Sequence, residues 1–281
     1  ILTQEAGFRA AVGPTYDPND MALLMVVTIP LALTQGLGAT NRNWKILCYT
    51  CVAFCLLALL ATGSRGGFLG LLTIGFLILK ANMPGLPKRK IIVLAVVFGA
   101  FFMFKMGDDF ADRMSTITED VSSDRAGSGR ILIWKRSLVI AKDHLFFGVG
   151  PNAFQSAYGT YLGEGFFKGS LAPMPGEWAA YRWAVAHSAY LTVLVEFGIF
   201  GFIIYIAFIK LAVNNLKNRK FQSVKYLQKF TLNLMFVGIN ISYVGFLVCV
   251  IFLSQTYTVV FFMYCFISRN MFNLIKLKQL N

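Results

Sequence analysis

Charge is scarce in this chain, and acid is scarcer still. Only 14% of the 281 residues are charged, with Asp+Glu 13 against Lys+Arg 26. A soluble domain carries roughly 25%, so a soluble enzyme with a broad polar surface is excluded. Histidine is nearly absent, at His 2. The cysteines fall inside apolar stretches, and Cys48, Cys51 and Cys55 have no His or carboxylate beside them, so they read as packed helical residues rather than a metal site or disulfide framework. The sequence contains no Asp-x-Asp pair, zinc spacing, Walker loop or Gly-x-Ser-x-Gly elbow, so no motif asks for a metal or a nucleotide. No solenoid repeat is present.

Hydrophobic residues fill the place of the missing charge, at 57%. Apolar stretches approaching the ~20 residues needed to cross a bilayer occur at Met21–Leu37, Trp44–Ala61, Gly66–Leu79, Ile91–Met106, Ser188–Ile209, Leu232–Leu253 and Thr258–Ile267. The expected fold is all-α: a polytopic transmembrane helical bundle with a long outward loop carrying short interfacial helices. Three regions follow: spans in 1–106, a polar loop region in 107–187, and C-terminal spans in 188–281.

The formal net charge of +13 could suggest a nucleic-acid footprint, but its distribution points elsewhere. Arg42 and Lys45; Lys80, Lys88, Arg89 and Lys90; Lys210 through Lys229; and Arg269, Lys276 and Lys278 occupy alternate loops that hold no acid. Basic loops of this kind face the cytoplasm. Every acidic residue except Glu196 then falls outside the membrane or on its outer face. The charge is a topology signal, and nucleic acid is not an expected partner. Ile1 is not an initiator Met and the first residues read as an outward loop, so further spans are expected upstream.

This orientation puts Asp17-Pro18-Asn19, the Ser64-Arg65-Gly66-Gly67 turn and the long loop on one face. Arg65 reads either as an interface anchor or as an anion-binding group whose neighbouring glycines open backbone N–H groups to phosphate. Gly66 and Gly70 also fit helix packing at Gly-x3-Gly spacing. In the loop, Ile131, Trp134, Leu138 and Ala141 mark one apolar stripe of a helix from Arg130 to about Asp143, with Lys135, Arg136 and Lys142 on solvated or headgroup-facing sides. Arg130 opens that helix, as a solvated charge or as a phosphate fork. Gly148-Val149-Gly150-Pro151 predicts a backbone turn. His187 is either a structural boundary residue or a group able to take a proton from a hydroxyl. Glu164 and Glu177 are further candidate bases, while Glu196 is read as a helix-pairing carboxylate inside a span.

These fragments, in this order on a multispan scaffold, resemble the O-antigen ligase family: Asp17-Pro18-Asn19, Ser64-Arg65-Gly66-Gly67, Gly129-Arg130 with Trp134, Asp143 to Gly148-Val149-Gly150-Pro151, His187, and Glu196-Phe197-Gly198. The family's His-Asn pair stands here as His187-Ser188, and its Pro after His as Leu145. Members of the family usually carry additional N-terminal spans. The resemblance implies glycan transfer from an undecaprenyl-diphosphate carrier at the periplasmic face of the bacterial inner membrane, without a cofactor. The acceptor is lipid A-core for a ligase, another lipid-linked repeat for a polymerase, and a protein hydroxyl for an O-oligosaccharyltransferase. It also implies catalytic roles for His187, Arg65 and Arg130, with Arg65, Gly66, Gly67, Arg130, Gly148 and Gly150 binding the diphosphate and glycan. A transporter is the competing class, but transporters commonly show repeated halves and none is found in this sequence.

Overall fold

The structure is a computed structural model that describes residues 17–81, 83, 85–87, 89, 92, 99, 128–173, 183–217, 226–256 and 258–280. The described residues form helices and connecting turns. The predicted span Ile91–Met106 lies, apart from Ile92 and Gly99, outside them. The chain divides into two compact units: Ile1–Gly107 with Ala212–Cys249 and Phe262–Asn281, and Asp108–Leu211 with Val250–Phe261.

The first unit is built on α1 (Pro18–Gly38), α2 (Arg42–Thr62) and α3 (Arg65–Lys80). Local sequence sets the ends of all three. Asp17 caps α1 through the backbone N–H groups of Asn19 and Asp20, with Pro18 at the first helical position. Asn41 caps α2, accepting from Asn43 N at 2.8 Å and Trp44 N at 3.2 Å. Gly63 ends α2 at φ 57, the left-handed cap that glycine adopts without strain. α1 packs against α2, α3 and a later helix, Tyr226–Cys249. It buries Ala22, Leu23, Val26, Val27 and Ile29. Trp44, Ile46, Leu47, Phe54 and Leu57 of α2 remain more than half exposed, as expected of a helix that faces lipid.

The second unit holds α4 (Ser128–Asp143), α5 (Phe154–Gly163), a 3₁₀ turn at Gly169–Leu171 and most of α6 (Ala189–Lys217). It has a core of its own, in which Ile133, Ile140, Phe154, Tyr158, Leu162 and Phe167 pack with Ala186 and Val195. Of the expected apolar stripe of α4, Ala141 is buried in this core, Trp134 is half-buried, and Ile131 and Leu138 are 55% and 51% exposed. Arg136, expected on a solvated side, is instead buried with Ile133, Ser137 and Ile140.

The predicted span from Ser188 is observed as α6, interrupted at Gly198 with φ 63 and ψ −164, a conformation essentially confined to glycine. The Tyr190 and Tyr205 rings lie 6.1 Å apart, whereas in a straight helix their Cα atoms would be about 22 Å apart. α6 is therefore sharply bent. Residues 199–217 alone measure about 28 Å, close to the thickness of the hydrocarbon layer. The remaining helices among the described residues are α7 (Tyr226–Cys249) and α8 (Val259–Leu280). Among the described residues, four helices are long and apolar enough to cross a membrane.

Candidate active site

In the first unit, two sequence fragments meet. The Asn19 side-chain oxygen accepts from Ser64 Oγ at 2.7 Å, joining the Asp17-Pro18-Asn19 cap to the corner before α3. Ser64 Oγ also caps α3, accepting from Gly67 N at 3.1 Å, so the Gly67 N–H is committed inside the helix and is not presented to a ligand. Gly66 and Gly67 are buried. A Cβ on Gly67 would stand 2.5 Å from Ala22 Cβ, and one on Gly70 would meet Cys249 Sγ. The Gly66 carbonyl takes the Cys249 thiol at 3.8 Å. These glycines bring helices together, as small residues do in membrane bundles. Arg65, the first residue of α3, is exposed, where the helix dipole is positive and an anion is favoured.

In the second unit, Trp134 fixes the backbone beside His187: its indole N–H donates to the Ala186 carbonyl at 2.8 Å, and its ring lies against Phe252 at 6.2 Å. His187 is half-buried and held at φ 48, an uncommon backbone conformation for a non-glycine residue. Immediately after it the chain enters α6, with Ala189 N donating to the Val250 carbonyl at 2.9 Å and Thr192 N to that of Ser188 at 3.0 Å. Arg130, half-buried in the first turn of α4, stands four residues before Trp134. Residues at that spacing share a helix face, so the side of α4 bearing Arg130 is the one that reaches the Ala186 carbonyl, next to His187.

Gly148 and Gly150 belong to a turn that docks on the break in α6. Val149 N donates to Val195 O at 2.9 Å, Gly150 N to Glu196 O at 3.0 Å, and Ile199 N to Leu145 O at 2.7 Å. The break frees these helix groups and the turn satisfies them. Gly148, at φ 70, abuts the Glu196-Phe197 backbone, and Gly198 abuts that of Leu145-Phe146. Glu196 is buried at 3% exposure. Its carboxylate accepts from Phe154 N at 3.1 Å, at the positive end of α5, so it is positioned as a helix-end partner at the break in α6.

Arg136 is the residue that sequence reasoning misplaced. It is 1% exposed rather than solvated. Its guanidinium donates to Leu171 O at 2.9 Å, Ala172 O at 3.3 Å and Tyr158 Oη at 3.2 Å, with its charge 5.2 Å from the Phe167 ring centre. Tyr161 donates to Asp143 at 3.0 Å. Burial, and then the Asp143 carboxylate, push its hydroxyl up to about 12. Glu164 sits exposed at the end of α5, and Glu177 lies outside the described residues. Among the described residues no group of His, Cys, Asp and Glu could hold a metal.

Fold and hydropathy define a multi-pass helical membrane protein. A family model described as O-antigen ligase matches residues 50–206, and the chain belongs to that family. The match includes Arg65, Arg130, the Gly148–Gly150 turn, His187 and Glu196. No curated protein matches the chain. Ligase- or polymerase-type glycan transfer in a membrane context goes with the family.

Proposed function

We propose that the protein transfers a polysaccharide from undecaprenyl diphosphate to a sugar hydroxyl of lipid A-core at the periplasmic face of the inner membrane. The observation that carries this reading is the Trp134 hydrogen bond, which holds the backbone beside His187 against the helix whose first turn carries Arg130. The acceptor oxygen attacks the anomeric carbon and the bond from that carbon to the diphosphate oxygen breaks. His187 orients the hydroxyl and takes its proton. Undecaprenyl diphosphate leaves with the bonding electron pair, and Arg65 and Arg130 stabilise the charge that develops on it. The carrier already activates the sugar, so the chemistry as drawn requires no metal.

Deletion of the gene followed by glycolipid gels tests the acceptor. Loss of all polysaccharide from lipid A-core, with lipid-linked polymer accumulating, supports the ligase. A core bearing one repeat unit assigns the protein to polymerisation instead. Transfer by the purified full-length protein should survive EDTA, and its loss with rescue by Mg²⁺ would overturn the metal-free step. The proposed orientation has its own test: an impermeant thiol reagent should label Lys168→Cys in spheroplasts and leave Asn218→Cys unlabelled.

A further inference from the structure

Beyond the residues assigned to the diphosphate and the proton, the second unit carries an open groove of about 530 Å³. Its lining includes Ser156, Gly159, Thr160 and Gly163 of α5, together with Glu164 and Trp183. The four α5 residues recur at i, i+3, i+4 and i+7, which makes one continuous face of the helix. The opposite face, with Phe154, Tyr158 and Tyr161, is locked into the core, and Leu162 belongs both to that core and to the groove lining, so the groove has a rigid wall. Trp183 is 61% exposed, and its backbone is tied to the same helix by Gln155 Nε2 donating to its carbonyl at 2.9 Å.

The chemistry of this lining is selective. An indole face accepts the apolar C–H face of a pyranose ring. The Ser156 hydroxyl and the Glu164 carboxylate suit a neutral polyol, and the Thr160 hydroxyl, which donates to the Ser156 carbonyl at 3.1 Å, keeps its lone pairs to accept. Two glycines leave room for a ring to approach the helix backbone. None of the described lining residues is cationic, so the groove does not suit a diphosphate. Its volume falls within the ~300–1,000 Å³ usual for small-ligand sites, and its openness allows a chain to run on past it. Trp183 is four residues from His187, at most about 14 Å along the chain.

We propose that this groove binds a short stretch of glycan chain and leads it toward His187. The assignment rests on the glycan-transfer reading, but binding can be measured separately from transfer. The full chain in nanodiscs is titrated with two lipid-free probes, core oligosaccharide released from lipid A and polysaccharide released from its carrier. Binding of the first identifies an acceptor subsite, and binding of the second a donor subsite.

Trp183→Ala should weaken binding of the relevant probe about tenfold, the loss expected of one aromatic contact. Thr160→Trp, a bulky replacement at an exposed helix position, should block binding outright. Both variants should keep the wild-type unfolding temperature. In transfer assays Trp183→Ala should raise KM for the substrate carrying that glycan and leave kcat nearly unchanged. Absence of binding by either probe to the wild type, or binding unaffected by both variants, would overturn the groove. Arg130→Lys separates the two ideas, since it should bind saccharide normally while transfer falls about ten- to hundredfold. Normal transfer by Arg130→Lys would sink the proposed diphosphate role and leave the groove standing.

Discussion

Gly67 on α3 and Gly148 in the turn after α4 both occupy places where a side chain would collide, but their neighbours differ in kind. At Gly67 the obstacle is the Ala22 side chain, at 2.5 Å. At Gly148 it is the peptide between Glu196 and Phe197, and the residue also sits at φ 70. The first contact is between side-chain surfaces and can be re-fitted by changing a partner. The second is between two main chains and cannot. The corner before α3 is thus tunable by sequence, whereas the clasp on α6 is fixed by backbone geometry.

Substitutions at the clasp should have the largest effects. Gly148→Ala and Gly198→Ala should each destabilise by more than about 4 kcal/mol and remove the protein from membranes, as read by immunoblot and thermal unfolding. Gly67→Ala should also destabilise, but adding Ala22→Gly should restore most of the loss. If a second substitution rescues Gly148→Ala equally well, the distinction between the two contacts collapses.

Next in size are the residues proposed for chemistry, read as transfer rates at matched protein level. His187→Ala should lose roughly 10²–10⁴-fold if it handles the proton. Arg65→Lys and Arg130→Lys should each lose about ten- to hundredfold, because lysine keeps the charge but not the two-pronged geometry. Normal rates for both lysine variants would reduce the arginines to anchors.

Smaller effects should follow inside the core of the second unit. Arg136→Met leaves the Leu171 and Ala172 carbonyls without their donor and should cost about 3 kcal/mol, measured by chemical unfolding; Arg136→Lys should recover part of it. Tyr161 binds its proton more tightly in the folded state, at about 12, than the ~10 of an unfolded chain. Its contribution is therefore complete below pH 10 and lost as pH rises toward 12. Tyr161→Phe should flatten the stability curve across that window. The smallest effects belong to exposed Lys135 and Lys142, where alanine should change stability by no more than ~0.5 kcal/mol and leave transfer near normal.

Much of the bundle is legible from local chemistry. Asp17 and Ser64 announce helix starts, and apolar length locates the first three helices to within a few residues at either end, two of them long enough to cross a membrane. The facing of α4 is not legible in the same way. Ala141 of the predicted stripe is buried, but so are Ile133, Arg136, Ser137 and Ile140, while Ile131 and Leu138 are exposed. The burial of Arg136 rests on carbonyls from Leu171 and Ala172, some 35 residues away. Arg136 could have been singled out only by knowing that those carbonyls arrive. The break at Gly198 is equally silent, because glycine is common in transmembrane helices and nothing local distinguishes a bend from a packing contact. What was readable was the company these residues keep. Gly148-Val149-Gly150 and Glu196-Phe197-Gly198 stood out as motif fragments, and the structure joins them.

That junction has a consequence for membrane insertion. The carbonyls of Val195 and Glu196 and the N–H of Ile199 are bonded by residues 145–150. Left bare in hydrocarbon, each such group would cost several kcal/mol. The bent α6 and the turn that follows α4 therefore form one hydrogen-bonded unit, and a bilayer can accept the bend only together with its turn.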